Sequence, residues 1–231
     1  MQTVILAGGL GTRLRDLTRQ VPKPMVPVAG RPYLEHQLRE LARQKLTDVV
    51  LLTGYLGEQV EEYFGDGRRW GLSIRYRREA TPQGTGGAVR DAADLLAETF
   101  LLIYGDSYLP IDYAPVLRRL EESPALAVAV VYDNREDTTV RNNVAVAEDG
   151  FVSRYAKDAA GADLRYVEAG VLALRRSAVA ELPLHGPASL EKDLYPRLVA
   201  RRQLLAFVTS QRFYDIGTPE RLALFEQVLR G

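Results

Sequence analysis

The chain has 231 residues, 46% of them hydrophobic, enough to bury one large core without the staples a small scaffold needs. Thirty basic residues balance thirty acidic ones and no run of like charge is long enough to attract nucleic acid or a membrane surface, so composition points to small-molecule chemistry. Cysteine is absent, which excludes disulfides and thiolate metal sites and makes the cytoplasm the default expectation, and no basic leader or apolar stretch of about eighteen residues suggests secretion or membrane spanning.

The first predicted strand, Val4-Ile5-Leu6-Ala7, breaks at once into Gly8-Gly9-Leu10-Gly11-Thr12-Arg13-Leu14, and the chain then reaches Lys23 between two prolines. Three glycines in four positions let the backbone bend tightly and turn its N–H groups towards an anion, while Arg13 and Lys23 add charge. An ordinary glycine-rich turn would explain G-G-x-G alone, but not the cations that follow it. The spacing is neither the dinucleotide fingerprint nor the Walker loop. Prolines at 22, 24 and 27 predict an extended, stiffened loop that holds Lys23 at a defined reach.

Further on, Asp48–Thr53, Leu72–Tyr76 and Thr99–Tyr104 read as strands, the first and third almost continuously apolar, as strands covered on both faces are. Between them, Leu34, Leu38, Leu41 and Ala42 share one helix face, and Ala88, Val89, Ala92, Leu95 and Leu96 another. Strand–helix alternation of this kind predicts a mostly parallel sheet. A helix from about Asp112 and a strand at Ala127–Val131 come next. Short strands at 144–146 and 151–153, joined by Glu148-Asp149-Gly150, and a third over Tyr166–Leu174 predict a small antiparallel insertion, with a small-residue loop at Ala159 to Ala162. Ser189-Leu190-Glu191 starts a helix, 204–208 and 213–215 read as strands, and Thr218-Pro219-Glu220 opens the final helix with cap, proline and acid in order.

Two aspartates stand where open α/β sheets put ligands: Asp106, after the apolar strand and Gly105, and Asp215, before Ile216-Gly217-Thr218-Pro219. With no cysteine, and with His36 and His185 lacking partners at metal-ligand spacing, any metal should have oxygen ligands, which selects magnesium or a similar hard ion. Only four of the thirty basic residues are lysines, at 23, 45, 157 and 192. A lysine kept in an arginine-biased chain suggests a need for a compact point charge, and Lys23 and Lys157 fall in candidate site segments.

L-A-G-G-x-G-T-R-L followed by P-K-P, together with Gly105-Asp106 and Asp215 to Pro219, resembles the sugar-1-phosphate nucleotidylyltransferases across almost the whole chain. The resemblance implies a Rossmann-like three-layer α/β sandwich with a mostly parallel mixed sheet, the antiparallel insertion forming the sugar side of the cleft. It implies one domain over 1–231, with a nucleotide-binding part to about 132 and a sugar-phosphate-binding part from about 133. The implied reaction joins a nucleoside triphosphate to a sugar 1-phosphate and releases pyrophosphate. Arg13, Lys23 and Asp106 would act in catalysis, and Asp106 and Asp215 would hold Mg2+. Nucleotide contacts would come from Leu6, Ala7, Gly8, Gly9, Gly11, Thr12, Arg13, Lys23, Glu79, Gln83, Gly84 and Thr85.

Sugar-phosphate contacts would come from Asn143, Lys157, Glu168 and Gly170. The family's usual Glu-Lys-Pro reads Ala156-Lys157-Asp158 here, which leaves Glu168 and Asn143 to replace the missing glutamate. Glu79 suits the donors on a guanine edge and tilts the reading towards GTP, and mannose- and heptose-1-phosphate guanylyltransferases are the subgroup most resembled. Uridylyl-, thymidylyl- and cytidylyltransferases stay open, as does a catalytically silent nucleotide-binding subunit of an assembly. The sequence leaves no room for a β-helix extension, and it leaves the oligomeric state open, a homo-oligomer included.

Overall fold

In a computed structural model, all residues are described except Leu10, Asp137, 158–160 and Gly231, together with the side chains of Thr12, Arg15 and Asp16. The expected contact through the Thr12 side chain and the loop residues Ala159 and Ala160 therefore lie outside the described residues.

Seven strands form one sheet: β1 (Gln2–Ala7), β2 (Asp48–Thr53), β3 (Ser73–Arg78), β4 (Thr99–Tyr104), β5 (Ala127–Tyr132), β6 (Val167–Arg175) and β7 (Leu204–Thr209). Their order is β7-β5-β6-β4-β1-β2-β3. β1 pairs parallel with β2, β2 with β3 and β5 with β7, while β6 runs antiparallel to β5, so the sheet is mixed and mostly parallel, in the expected α/β class. β5 is buried at all six positions and β2 from Val49 to Thr53, matching their unbroken apolar runs, whereas edge strand β3 exposes Ser73, Arg75 and Arg78. Arginines on an open edge discourage a second chain from pairing with it.

Among the described residues, six α-helices accompany these strands: α1 (Tyr33–Arg43), α2 (Gly57–Phe64), α3 (Gly84–Asp91), α4 (Ala114–Glu121), α5 (Tyr195–Ala200) and α6 (Pro219–Arg230). None of the described helices is long and apolar enough to cross a membrane. The chain gathers into two compact units. One comprises residues 1–82, 103–108 and 214–231, the other 83–102 and 109–213. In the first, Val28, Tyr33, Ile216 and Phe225 form a buried cluster that brings the two ends of the chain together. In the second, 144–146 and 152–155 pair antiparallel, as expected, around the turn at Gly150 (φ 84°).

Two local expectations need correction. Residues Lys23–Met25 form a 3-10 turn, not an extended segment, because Pro24 sits in its first turn, where its fixed φ suits a helix and its missing N–H would have had no partner. Helix α3 stops at Asp91, and the residues after it continue in tight turns (Ala92 N to Val89 O, Leu95 N to Ala92 O) that still bury Ala92 and Leu96.

Candidate functional site

In the first unit, the glycine-rich turn leads from β1 into a 3-10 stretch over Thr12–Thr18. Gly11 takes φ 62°, and a Cβ there would lie 2.8 Å from Thr18 Cγ2, so glycine is required both for the turn and for the close approach. The Gly11 carbonyl accepts from Leu14 N at 2.9 Å and from the Thr18 hydroxyl at 3.0 Å, which fixes the loop. Gly105 allows a second close approach: its N–H donates to Leu6 O at 3.0 Å, and a Cβ on it would collide with that carbonyl. Asp106 thereby emerges beside the end of β1.

Lys23 is buried, and its ammonium donates to Asp106 Oδ2 at 2.6 Å. Burial alone would raise the Asp106 pKa. The Lys23 ammonium, with the Arg13 charge adding to it, outweighs burial and holds the carboxyl below its ordinary range. Asp215 belongs to a two-residue strand, Tyr214–Asp215, that pairs antiparallel with Ser107–Tyr108, and Ile216 N donates to Asp106 O at 3.1 Å. The two aspartates thus project from neighbouring backbones. Asp215 Oδ1 accepts from Gly217 N at 2.7 Å, and Arg221 Nη1 reaches the two carboxylate oxygens at 3.3 and 3.2 Å. A Cβ on Gly217 would meet Asp215 Oδ1 at 2.7 Å and the Arg13 and Arg221 guanidinium nitrogens at 3.6 Å each, so these groups crowd one point.

Glu79 follows β3, and its N–H donates to Thr53 O. Its carboxylate lies against two glycine backbones, with Oε1 3.1 Å from where a Gly8 Cβ would be and 2.7 Å from a Gly54 Cβ. The structure therefore joins Glu79 to the Ala7–Gly8 segment, and it adds Gly54, whose importance the sequence does not signal.

The second glycine-rich loop lies in the other unit. Gly86 N and Gly87 N donate to Ala188 O at 2.8 and 3.1 Å, and a Cβ on Gly84, at φ 73°, would lie 2.5 Å from that oxygen. The small residues there admit the backbone of residue 188, which in turn donates from its N–H to Gln83 O. The Thr85 hydroxyl donates to Glu191 Oε2 at 3.1 Å and accepts from Leu190 N at 2.9 Å.

Three of the expected sugar-side residues come together in this unit. Asn143 Oδ1 accepts from Glu168 N at 2.9 Å, and Glu168 Oε1 accepts from Gly170 N at 2.8 Å. Gly170 has φ 76° where the β5–β6 register slips between Glu168 and Leu172, a bulge that re-aims the Glu168 side chain. Lys157 joins a different group, donating to Glu191 Oε1 at 3.2 Å. Burial pushes the Glu191 pKa up, but the Lys157 charge and the donors around the carboxylate outweigh it and hold the value below the ordinary glutamate range. Glu191 and Arg221 contact expected residues of their own units, Lys157 and Asp215, although sequence reasoning did not select them. The acid three positions into Ser-Leu-Glu reads as helix-start chemistry, and the arginine as surface charge on a terminal helix.

Among the described residues, no three histidine, cysteine or acidic side chains gather closely enough to hold a metal ion on their own. Two carboxylates on adjacent strands suit a hard ion that takes its remaining oxygens from phosphates and water.

The sequence profile of the nucleotidyl transferase family matches residues 2–229. The mannose-1-phosphate guanylyltransferase of Mycobacterium tuberculosis is 32% identical over 95% of this chain, which spans 62% of that longer protein. A D-glycero-alpha-D-manno-heptose 1-phosphate guanylyltransferase of Campylobacter jejuni is 30% identical, with 95% of this chain and 96% of the relative covered. Among solved structures, HddC from Yersinia pseudotuberculosis superposes with TM-score 0.84 at 28% identity over 99% of both chains, and HddC in complex with GMP-PN with TM-score 0.82 at 27% identity, again over 99% of both.

Proposed function

Because the chain belongs to the nucleotidyl transferase family, we propose that it transfers a nucleoside monophosphate from a nucleoside triphosphate to a sugar 1-phosphate, with GTP as donor and a mannose- or heptose-type acceptor. The observation that carries this reading is the Lys23–Asp106 ion pair with Asp215 on the neighbouring strand, beside the glycine-rich turn that ends β1. The guanylyltransferase names of the two relatives and the guanine nucleotide bound by HddC support the choice of base.

In this reaction one oxygen of the sugar phosphate bonds to the α-phosphorus. The bond from that phosphorus to the oxygen bridging the β-phosphate breaks, and pyrophosphate leaves with the electron pair. The attacking phosphate is already ionised near neutral pH, so no general base is needed, in keeping with a chain that has only two histidines. The protein's work is neutralisation and alignment of two anions. Arg13 and Lys23 offset charge at the triphosphate, and Gly8, Gly9 and Gly11 would offer backbone N–H groups. Asp106 and Asp215 would hold Mg2+, which when bound screens the phosphate oxygens. Glu79, held against Gly8 and Gly54, would accept from guanine N1–H and N2–H. Asn143, Lys157, Glu168 and Gly170 would serve the sugar phosphate. The lack of cysteine fits a cytoplasmic enzyme, which completes the proposal.

The test is a matrix of four nucleoside triphosphates against mannose-, heptose- and glucose-type 1-phosphates, read by pyrophosphate release. Turnover confined to GTP with a mannose- or heptose-type acceptor is expected. A pyrimidine donor would correct the base, and no release from any pair, with nucleotide still bound, would replace the enzyme by a binding subunit.

A further inference from the structure

Glu191 lies at the start of a π-helical turn, Leu190–Leu194, that leads into α5, and turns of this kind concentrate at functional sites. Its side chain is only 9% exposed, yet three donors converge on it. Ser189 Oγ and Thr85 Oγ1 donate to Oε2 at 2.8 and 3.1 Å, and Lys157 Nζ reaches Oε1. Ser189 Oγ already accepts from Lys192 N and Thr85 Oγ1 from Leu190 N, so each presents its single proton to Glu191. A carboxylate held by two committed donors keeps its charge and its orientation. Of the three donors, the Lys157 side chain, 55% exposed, is the most open to a ligand.

We infer that Glu191 is a positioning residue: it fixes the Lys157 ammonium where the sugar phosphate binds and, through Thr85, ties that lysine to the Gly84–Gly87 loop. This rests on the reading of Lys157 as a sugar-phosphate contact. The buried acid never meets the substrate; it limits the directions in which a flexible four-carbon side chain can carry its charge.

Steady-state kinetics of wild type, Lys157→Met, Glu191→Gln and the double variant test this, with thermal unfolding of each as a control. Lys157→Met should raise KM for the sugar 1-phosphate about tenfold, the size of one lost charge-assisted contact, and leave KM for the nucleotide unchanged. Glu191→Gln should do most of the same, and the double variant should be no worse than Lys157→Met alone. Ser189→Ala, which keeps the ion pair, should give a smaller rise of the same kind and serves if Glu191→Gln does not fold. If Lys157→Met raises KM while Glu191→Gln leaves it unchanged, lowers it, or multiplies the lysine effect in the double variant, Glu191 does not position Lys157 and the lysine contact stands. If Lys157→Met moves nothing, the reading of Lys157 fails and the role of Glu191 fails with it. Equal rises in both KM values with a lowered melting temperature would make Glu191 structural.

Discussion

Each unit of the molecule contains a lysine–carboxylate pair, and the two pairs are built in opposite senses. In Lys23–Asp106 the cation is the buried member, with side-chain exposures of 11% and 35%. In Lys157–Glu191 the acid is buried, at 9% against 55% for the lysine. Burial of one member fixes its charge and its position, because an ion out of water must keep its partner. The more exposed member then sets what the pair can take from solution. The first pair offers a carboxylate and suits a metal ion; the second offers an ammonium and suits a phosphate.

The largest expected effect comes at the first pair and its neighbour Asp215. Asp106→Asn and Asp215→Asn should each lower kcat by about two powers of ten or more, the scale of removing a group that stabilises charge in the transition state. Both should also weaken Mn2+ binding measured by electron paramagnetic resonance, with circular dichroism unchanged. Chelation should abolish turnover and added Mg2+ restore it. Undiminished activity in EDTA would show that the exposed carboxylate is not there for a metal.

The two pairs were unequally legible. The first is spelled out in short segments, G-G-x-G-T-R-L, P-K-P, Gly105-Asp106 and the aspartate before Ile216, because each half of it depends on local backbone chemistry: a glycine turn, a proline-set turn, two strand ends. The unbroken apolar run of β4 puts the strand end before Asp106 correctly, since burial on both faces leaves no alternation to misread. The second pair is a product of folding. Lys157 and Glu191 are 34 residues apart, and Thr85 reaches Glu191 over 106. Nothing local to Ser189-Leu190-Glu191 distinguishes a hub from a helix start. Glu79 shows the same limit, because its adjacency to Gly8 and Gly54 arises from the register of three neighbouring strands.

Glu79 sharpens the contrast, since its carboxylate lies against the Gly8 and Gly54 positions. A carboxylate there accepts and cannot donate, so a base edge rich in donors is favoured and one that needs a donor is rejected. Glu79→Gln should lower the ratio of kcat/KM for GTP over UTP and dTTP by about tenfold, as one mismatched hydrogen bond would. A wild-type enzyme that favours a pyrimidine nucleotide, or a ratio that the substitution leaves alone, would remove Glu79 from base recognition.

The smallest effect comes from a pair with the second architecture and no role in the proposed site. Glu35, on α1, has a side chain 5% exposed and accepts from Arg39 Nε at 2.7 Å and Tyr63 Oη at 2.9 Å. Burial raises its pKa, but the Arg39 and Tyr63 hydrogen bonds and the Arg39 charge outweigh it and leave the value below the ordinary 4.5. A carboxyl with a lowered folded-state pKa stabilises the fold above the unfolded value, and that contribution disappears as pH falls through the folded one. Glu35→Gln should therefore cost ~2 kcal/mol at pH 7, the worth of hydrogen bonds to a charged group, and progressively less as pH drops below 4.5. Denaturant unfolding of both proteins across that range measures it, while KM for either substrate should not move. A stability difference that persists undiminished in acid would mean that Glu35 acts through packing, and a shift in KM would mean that a buried acid beneath an exposed cation is no guide to where substrate binds.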